Sequence, residues 1–266
     1  MVKGQEEARI GLDAEEEIIS MINTNKDARN ELKECLANFG INLGENFYAI
    51  KPKNREFIKT DILLCCTKDN DIIGISLKTV KKTKEGFHQI DRRRLEEWKK
   101  ILDMQDDVYD IFKESILRKA KNRNAEFIKK DDQPKIKDFI KKNLPKILKE
   151  IFVRNEEKVL KILAVYDIRD NNKKTLYLVD ISQFIEKLAS EADVSFSKNG
   201  IIQIVINNTP IITIQRKGGN GQHVKKYKKT DWEHPGNQLQ FKMKPISVVK
   251  FLKENAKEIT CTIDIT

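Results

Sequence analysis

The chain has 266 residues, 39% of them hydrophobic, enough to bury a sizeable core without a disulfide or metal staple. Lys and Arg number 51 against 41 Asp and Glu, a formal net charge of +10, and the excess is concentrated: residues 78–100 hold nine basic and four acidic side chains, and residues 213–244 hold eight and two. A localised positive field suits a polyanion-binding face, while the lack of a bilayer-length apolar run and of a cleavable signal pattern leads to the expectation of a cytoplasmic protein with no membrane partner.

In chain order, apolar residues near helical spacing predict amphipathic helices over 10–22, which carries Glu15-Glu16-Glu17, and over 28–39. A Gly/Asn/Pro-rich loop follows. The apolar runs 61–66 and 72–78 flank Lys68-Asp69-Asn70-Asp71 and predict a hairpin with a polar turn. Helices are expected over 92–102, 106–120 and 136–152. A β-pair over 162–168 and 175–181 then surrounds Asp170-Asn171-Asn172, and a helix covers 184–188. Another β-pair, 201–206 with 211–215, surrounds Asn207-Asn208-Thr209-Pro210, followed by a strand over 237–242 and a helix over 247–255. Antiparallel pairs dispersed among helices give an α/β (α+β) class, a mixed central β-sheet flanked by helices. With no repeat and no Pro/Ser-rich linker, 1–266 is expected to be a single domain with a helical insertion near 103–155. The four cysteines, Cys35, Cys65, Cys66 and Cys261, lack metal-ligand spacing and read as buried thiols of a reducing compartment.

Two stretches carry chemistry. Thr213-Ile214-Gln215-Arg216-Lys217-Gly218-Gly219 is a β-patterned run that ends in an amide, a guanidinium and an ammonium before two glycines. Gln and Arg can make bidentate hydrogen bonds to adenine and guanine edges, and Lys can reach guanine or phosphate. Beyond a basic loop over 222–236, which includes Gln222 and His223, the residues Gln238, Gln240 and Lys242 alternate with apolar neighbours and so share one strand face. His223 and His88 are candidates for phosphate or base contact. Trp232 could wedge into DNA or anchor its loop, whereas Trp98 on a helix reads as core.

The second stretch is the early hairpin. Asp61 opens its first strand, Ser76-Leu77-Lys78 lies near the end of its second, and antiparallel pairing brings those ends together with Ser76 and Lys78 on one face. This is the geometry of a PD-(D/E)XK nuclease motif. An aspartate and a backbone carbonyl suit hard Mg²⁺, and a lysine can orient or help deprotonate the attacking water. Ser76 stands where a second carboxylate is usual. Glu15 of the first helix can supply the missing charge, with Glu16 and Glu17 solvated; the alternative is three exposed glutamates that merely favour a helix. Lys81, Lys82 and Lys84, just beyond the strand, are candidates for phosphate contacts.

The residues resemble the HinP-type type II restriction endonucleases, the GCGC-cutting relatives of MspI. The resemblance lies in Gly11 to Ile18, in Lys59-Thr60-Asp61-Ile62 with Ser76-Leu77-Lys78, in Gly86-Phe87-His88-Gln89-Ile90-Asp91, and in Thr213 to Gly219 with Leu239-Gln240-Phe241-Lys242. Residues 103–155 carry no matching motif. The resemblance implies a PD-(D/E)XK sheet, Mg²⁺ at Asp61 and the Leu77 carbonyl with Glu15 completing the acidic set, and Lys78 as catalytic lysine. In that family an amide replaces the second acid. The resemblance also implies Gln89 at the DNA, with Gln215, Arg216, Lys217 and the Gln240 strand near bases or backbone, acting on a short palindrome in double-stranded DNA as a monomer or homodimer. Two other readings stay open: a non-catalytic DNA-binding protein with a nuclease-like fold, and a structure-selective repair nuclease.

Overall fold

A strand buried on both faces must be apolar throughout, whereas a strand with one polar face must alternate. Both kinds occur in this chain, in separate sheets. The computed structural model describes residues 3–44, 46–53, 57–66, 72–82, 86–170, 173–219 and 226–265, with side chains from residue 9. Its first elements are α1 (Lys3–Thr24), α2 (Lys26–Asn38), β1 (Phe47–Ile50), β2 (Ile62–Cys66), β3 (Ile72–Val80), β4 (His88–Arg93), α3 (Leu95–Leu102), α4 (Asp106–Lys121) and α5 (Gln133–Phe152). They are followed by β5 (Leu160–Asp167), β6 (Lys174–Asp180), α6 (Ile181–Glu191), β7 (Asp193–Phe196), β8 (Ile202–Ile206), β9 (Thr209–Arg216), β10 (Leu239–Met243), α7 (Pro245–Glu254) and β11 (Thr260–Ile265). The α+β class is as expected. The strands, however, form two sheets rather than one central sheet, and the chain divides into two compact units, one from Met1–Glu85, Phe152–Leu188 and Pro245–Thr266, the other from Gly86–Ile151 and Ala189–Lys244.

The first unit holds the mixed six-stranded sheet, in the order β1-β2-β3-β5-β6-β11. Only β3 and β5 run parallel, and the chain between them passes through the second unit. These two central strands are apolar over most of their length because both faces are covered, with Ser76, Lys78 and Thr79 as the polar residues near the end of β3. On one face Ile75, Leu77, Ile162, Ala164 and Leu178 join Ile18, Ile22, Leu32 and Leu36 of α1 and α2 in a single apolar cluster. On the other lie α6 and α7, with Phe184 set edge-on to Phe251 at 6.0 Å and to Phe152 at 5.3 Å. Asn25 caps α2, its side chain accepting from the N–H groups of Asp27 and Ala28.

The second unit holds the antiparallel five-stranded sheet, β4-β10-β9-β8-β7. Its inner face packs Leu239, Phe241, Met243, Ile212 and Ile214 in the core, with Trp98 fully buried against Phe241 at 4.6 Å between ring centroids. The predicted core role of Trp98 is therefore correct. Asn207 and Asn208, both at positive φ, close the β8–β9 hairpin in the manner of a type I′ turn.

The thiol reading of the cysteines is corrected in part. Cys35 of α2 and Cys261 of β11 form a disulfide with a Cα–Cα distance of 5.6 Å, while Cys65 and Cys66 remain free. Sequence separation hid the pairing: the partners lie 226 positions apart, and nothing local marks them. Among the described residues no helix is long and apolar enough to cross a membrane. Because the crosslink closes so long a loop, the oxidised protein should be more stable than the reduced protein by up to about 5 kcal/mol. Thermal melts with and without dithiothreitol should differ for the unmodified chain and coincide for Cys35→Ser.

Candidate active site and nucleic-acid interface

The hairpin register builds the first candidate site. Ile62 lies opposite Ile75, and the Asp61 N–H donates to the Ile75 carbonyl at 2.8 Å, so Asp61 enters the ladder beside Ser76. Its carboxylate then collects three donors through Oδ2: the Leu77 N–H at 2.7 Å, Lys78 Nζ at 3.1 Å and Ser76 Oγ at 3.3 Å. Lys78 Nζ also donates to Ser76 Oγ at 3.0 Å and to the Leu77 carbonyl at 2.8 Å. An ammonium has three protons, and here three oxygens receive them. The four residues proposed from spacing alone are thus brought together, on a hairpin whose turn, residues 68–71, lies outside the described residues.

Glu15 belongs to the same electrostatic neighbourhood. Carried on α1, it is mostly buried and ion-paired to Lys51 Nζ at 2.6 Å. Burial pushes its carboxyl above the ordinary glutamate range despite Lys51, and the Asp61 charge pushes the same way, while Lys78 opposes. Glu16 is exposed, as expected, but Glu17 is ion-paired to Lys174 rather than simply solvated.

Asp61 Oδ2, Ser76 Oγ and the Leu77 carbonyl form an all-oxygen set that converges on one ammonium, and the Glu15 carboxylate feels the charges of both Asp61 and Lys78. The set fits a hard divalent cation. It is not a cluster of three acidic or imidazole ligands, and no such cluster occurs among the described residues. A cavity of about 860 Å³ opens elsewhere in this unit, crossed by the ion pairs Asp167–Arg169 and Lys173–Asp264, and it includes none of the four hairpin residues.

Sequence reasoning missed what holds Asp61 in place. The Glu156 carboxylate accepts from the N–H groups of Ile58 (2.6 Å), Lys59 (2.9 Å) and Thr60 (2.9 Å), and from Thr60 Oγ1 at 2.8 Å. It therefore clamps the three residues that precede Asp61. Thr60 in turn fills the space beside Gly74, where an added Cβ would stand 2.8 Å from Thr60 Oγ1. No sequence signal joins Glu156 to a site 96 residues away. Lys81 and Lys82 follow β3 and are exposed, and Lys84 lies outside the described residues.

The second candidate site is the outer face of the other sheet. Directly opposed residues of antiparallel strands share a face, and the registers give two polar rows. One runs Arg92, Gln240, Gln215; the other runs Gln89, Lys242, Thr213, Gln203, Ser195. A bulge between Phe241 and Lys242 gives β4 one extra residue, Ile90, and this slip returns Gln89 to the polar face after Asp91 has turned inward. Gln240 Nε2 donates to Gln89 Oε1 at 2.7 Å across the two rows. Arg92 and Gln203 are additions that the sequence reading missed.

Other expected DNA contacts are distributed differently. Arg216 alternates to the opposite side from Gln215: it sits across from Leu239, and its Nε donates to Asn237 Oδ1 at 2.7 Å. Lys217 stands near Arg92 and Arg94, and burial followed by those like charges lowers its pKa. Gln238 precedes β10, and its carbonyl accepts from the Lys217 N–H at 2.9 Å. Gly218, at φ +67, turns the chain, but its close neighbour is the backbone of Gly236, where a Cβ would come within 2.9 Å. Trp232 anchors its loop by donating from Nε1 to Glu96 at 2.5 Å. Gln222 and His223 lie outside the described residues, and His88 sits half-buried in β4.

No protein-family model matches the chain, and no curated protein matches it.

Gln240 is buried. Either Gln240→Ala or Gln89→Ala breaks the amide pair, and the first also empties the space of a buried side chain. Urea denaturation should show a loss of about 1–3 kcal/mol for Gln240→Ala and less for Gln89→Ala, whose side chain is the more exposed. Glu156→Ala leaves three backbone donors without their acceptor, and should destabilise by about 3 kcal/mol. Gly74→Ala, which drives Thr60 from its place, should lower the melting temperature in the same direction.

Proposed function

We propose that the chain is a Mg²⁺-dependent, site-specific endonuclease of double-stranded DNA, of restriction type. The observation that carries this reading is the convergence of Lys78 Nζ on Asp61 Oδ2, Ser76 Oγ and the Leu77 carbonyl. Asp61, the Leu77 carbonyl and Glu15 would hold the ion, which when bound supplies positive charge for the scissile phosphate and makes a coordinated water more acidic. Lys78 orients the attacking water and stabilises negative charge as it grows on the phosphate oxygens. Ser76 keeps the ammonium in line with the Asp61 carboxylate. Glu15 supplies the second negative charge that Ser76 lacks.

In the second unit, Gln89, Gln215 and Gln240 offer paired donors and acceptors suited to base edges, and Arg92, Lys217 and Lys242 offer cations suited to phosphate. A non-catalytic DNA-binding protein of nuclease-like fold is the second reading, favoured by two observations: Ser76 occupies the place of an acid, and Lys78 is satisfied by internal partners.

The test is incubation of the purified chain with phage DNA and Mg²⁺. Discrete fragments that EDTA prevents are expected. Asp61→Ala should abolish cleavage but retain a gel shift, and Lys78→Ala should slow it by roughly 10²- to 10⁴-fold. Intact DNA with a retained gel shift would instead favour the binding module, and a smear would remove site specificity.

A further inference from the structure

We infer that a cavity beside the end of β9 is a docking site for a backbone phosphate of the bound DNA, built in part by the helical segment that carries no recognisable motif. The identity of the occupant rests on the DNA reading above; the anion-binding character of the cavity does not. It measures about 540 Å³ and is lined chiefly by Lys119, Arg123, Asn124, Asn199, Gln215 and Arg216.

The lining has a clear chemical bias. It contributes three cations and three amides, with no carboxylate among the described lining residues, and none of the three cations has an ion-pair partner among the described residues. Arg216 is the most telling. Its Nε is used by Asn237, but Nη2 is buried and without a hydrogen-bond partner among the described residues. A buried donor of this kind costs free energy until something accepts from it. Desolvation acts on the ammonium of Lys119 as well as on Arg216, lowering the pKa of both, so an anion in the cavity would relieve two charges at once.

The walls are fixed before any ligand arrives. Arg118 donates from Nε to the Glu126 carbonyl at 3.0 Å and from Nη2 to the Phe127 carbonyl at 2.5 Å. The Phe127 and Ile128 N–H groups donate to the Asn199 and Gly200 carbonyls at 2.8 and 3.1 Å. Gly200 has a φ of +68, and a Cβ there would stand 2.3 Å from the Ile128 carbonyl oxygen. The end of α4, the loop after it and the β7–β8 turn therefore form one rigid rim.

The bland explanation is that basic residues gather at the end of α4 to offset its dipole. That accounts for Lys119, which donates to the Arg123 carbonyl at 3.0 Å. It does not account for Arg123, which lies beyond the helix, or for Arg216, which comes from a strand. A tetrahedral oxyanion can accept from a guanidinium fork, an ammonium and amides together. Gln215 belongs both to the cavity and to the row Arg92, Gln240, Gln215, so a strand lying on that face would bring a phosphate to the cavity mouth.

Two measurements on the full chain test the site. Inorganic pyrophosphate should shift the backbone amide resonances of Asn124, Asn199 and Gly218, and Lys119→Ala with Arg123→Ala should remove those shifts; their absence in the unmodified chain overturns the site whatever the protein does with DNA. Fluorescence anisotropy on random-sequence duplex should show the slope of log affinity against log salt flattening by about 0.9 in the double variant, the value of one lost phosphate contact. Cleavage position and preference between sites should not change. An unchanged slope alongside normal binding would overturn the phosphate contact while leaving the nuclease reading intact, whereas a flattened slope without cleavage would support the contact and remove the nuclease.

Discussion

Ile62 lies opposite Ile75, and from that one register most of the chemistry of the first unit follows. Side chains alternate along a strand, so a slip by one residue would send Asp61 to face Leu77 or Ile75, both core residues, and would leave Lys78 pointing at the wrong neighbour. The apolar sets on either side forbid the slip. Ile62, Leu64, Ile75 and Leu77 all belong to the cluster under α1 and α2, and moving any of them out of it would cost roughly 1.5–3 kcal/mol of lost burial. The same burial that stabilises the sheet therefore specifies where the carboxylate and the ammonium meet. Glu156 and the missing side chain of Gly74 complete the restraint from the other side, since they hold residues 58–60 against the start of the strand.

The hairpin, the helices and the residues of the candidate catalytic set were legible because each depends on local pattern: periodicity, a polar turn, and an acid and a lysine at the two ends of one strand pair. What escaped is mostly what depends on distance. Glu156, Lys51 and the Cys35–Cys261 bond act on partners far away in sequence. The strands β1, β7 and β11 are edge strands or lie at a sheet border, where one neighbour suffices and the apolar signal is weak. β4 escaped for a different reason. Its sequence His88-Gln-Ile-Asp-Arg-Arg has polar residues on both faces, so its second half reads as the start of a helix.

The inner face of β4 shows how such a sequence can still be a strand. Arg93 is buried with Asp91 at 3.1 Å and Glu150 at 2.7 Å, and its guanidinium lies 4.9 Å from the centre of the Trp98 ring. Burial works against the charge, but the two carboxylates hold Arg93 firmly protonated. Such a cluster is weak evidence for stability, because an apolar set of the same volume could serve as well. It does fix which face of β4 turns inward. With the bulge at Ile90, that choice commits Arg92 and Gln89 to the outer face, so a buried ionic group and one extra residue together decide which side chains are offered to a partner.

Charge in the second unit can then be sorted by what it is paired with. Arg93 and Arg94 are spent on internal acceptors: Glu150 and Asp91 for the first, the carbonyls of Trp232 and Glu233 for the second. Lys137 and Lys141 converge on Asp193, whose carboxyl they hold well below its usual range. These cations hold the unit together and have little left for a ligand. Arg216 and Lys217 are different: burial disfavours the protonated form of each, the charges of Arg92 and Arg94 add to this at Lys217, and no carboxylate among the described residues compensates. A protein that tolerates this penalty in its free state recovers it when an anion binds, and a polyanion recovers it at several positions at once. The net charge of the sequence is spread over both kinds of cation, and it is the unequal pairing of individual cations on which the proposed polyanion-binding surface rests.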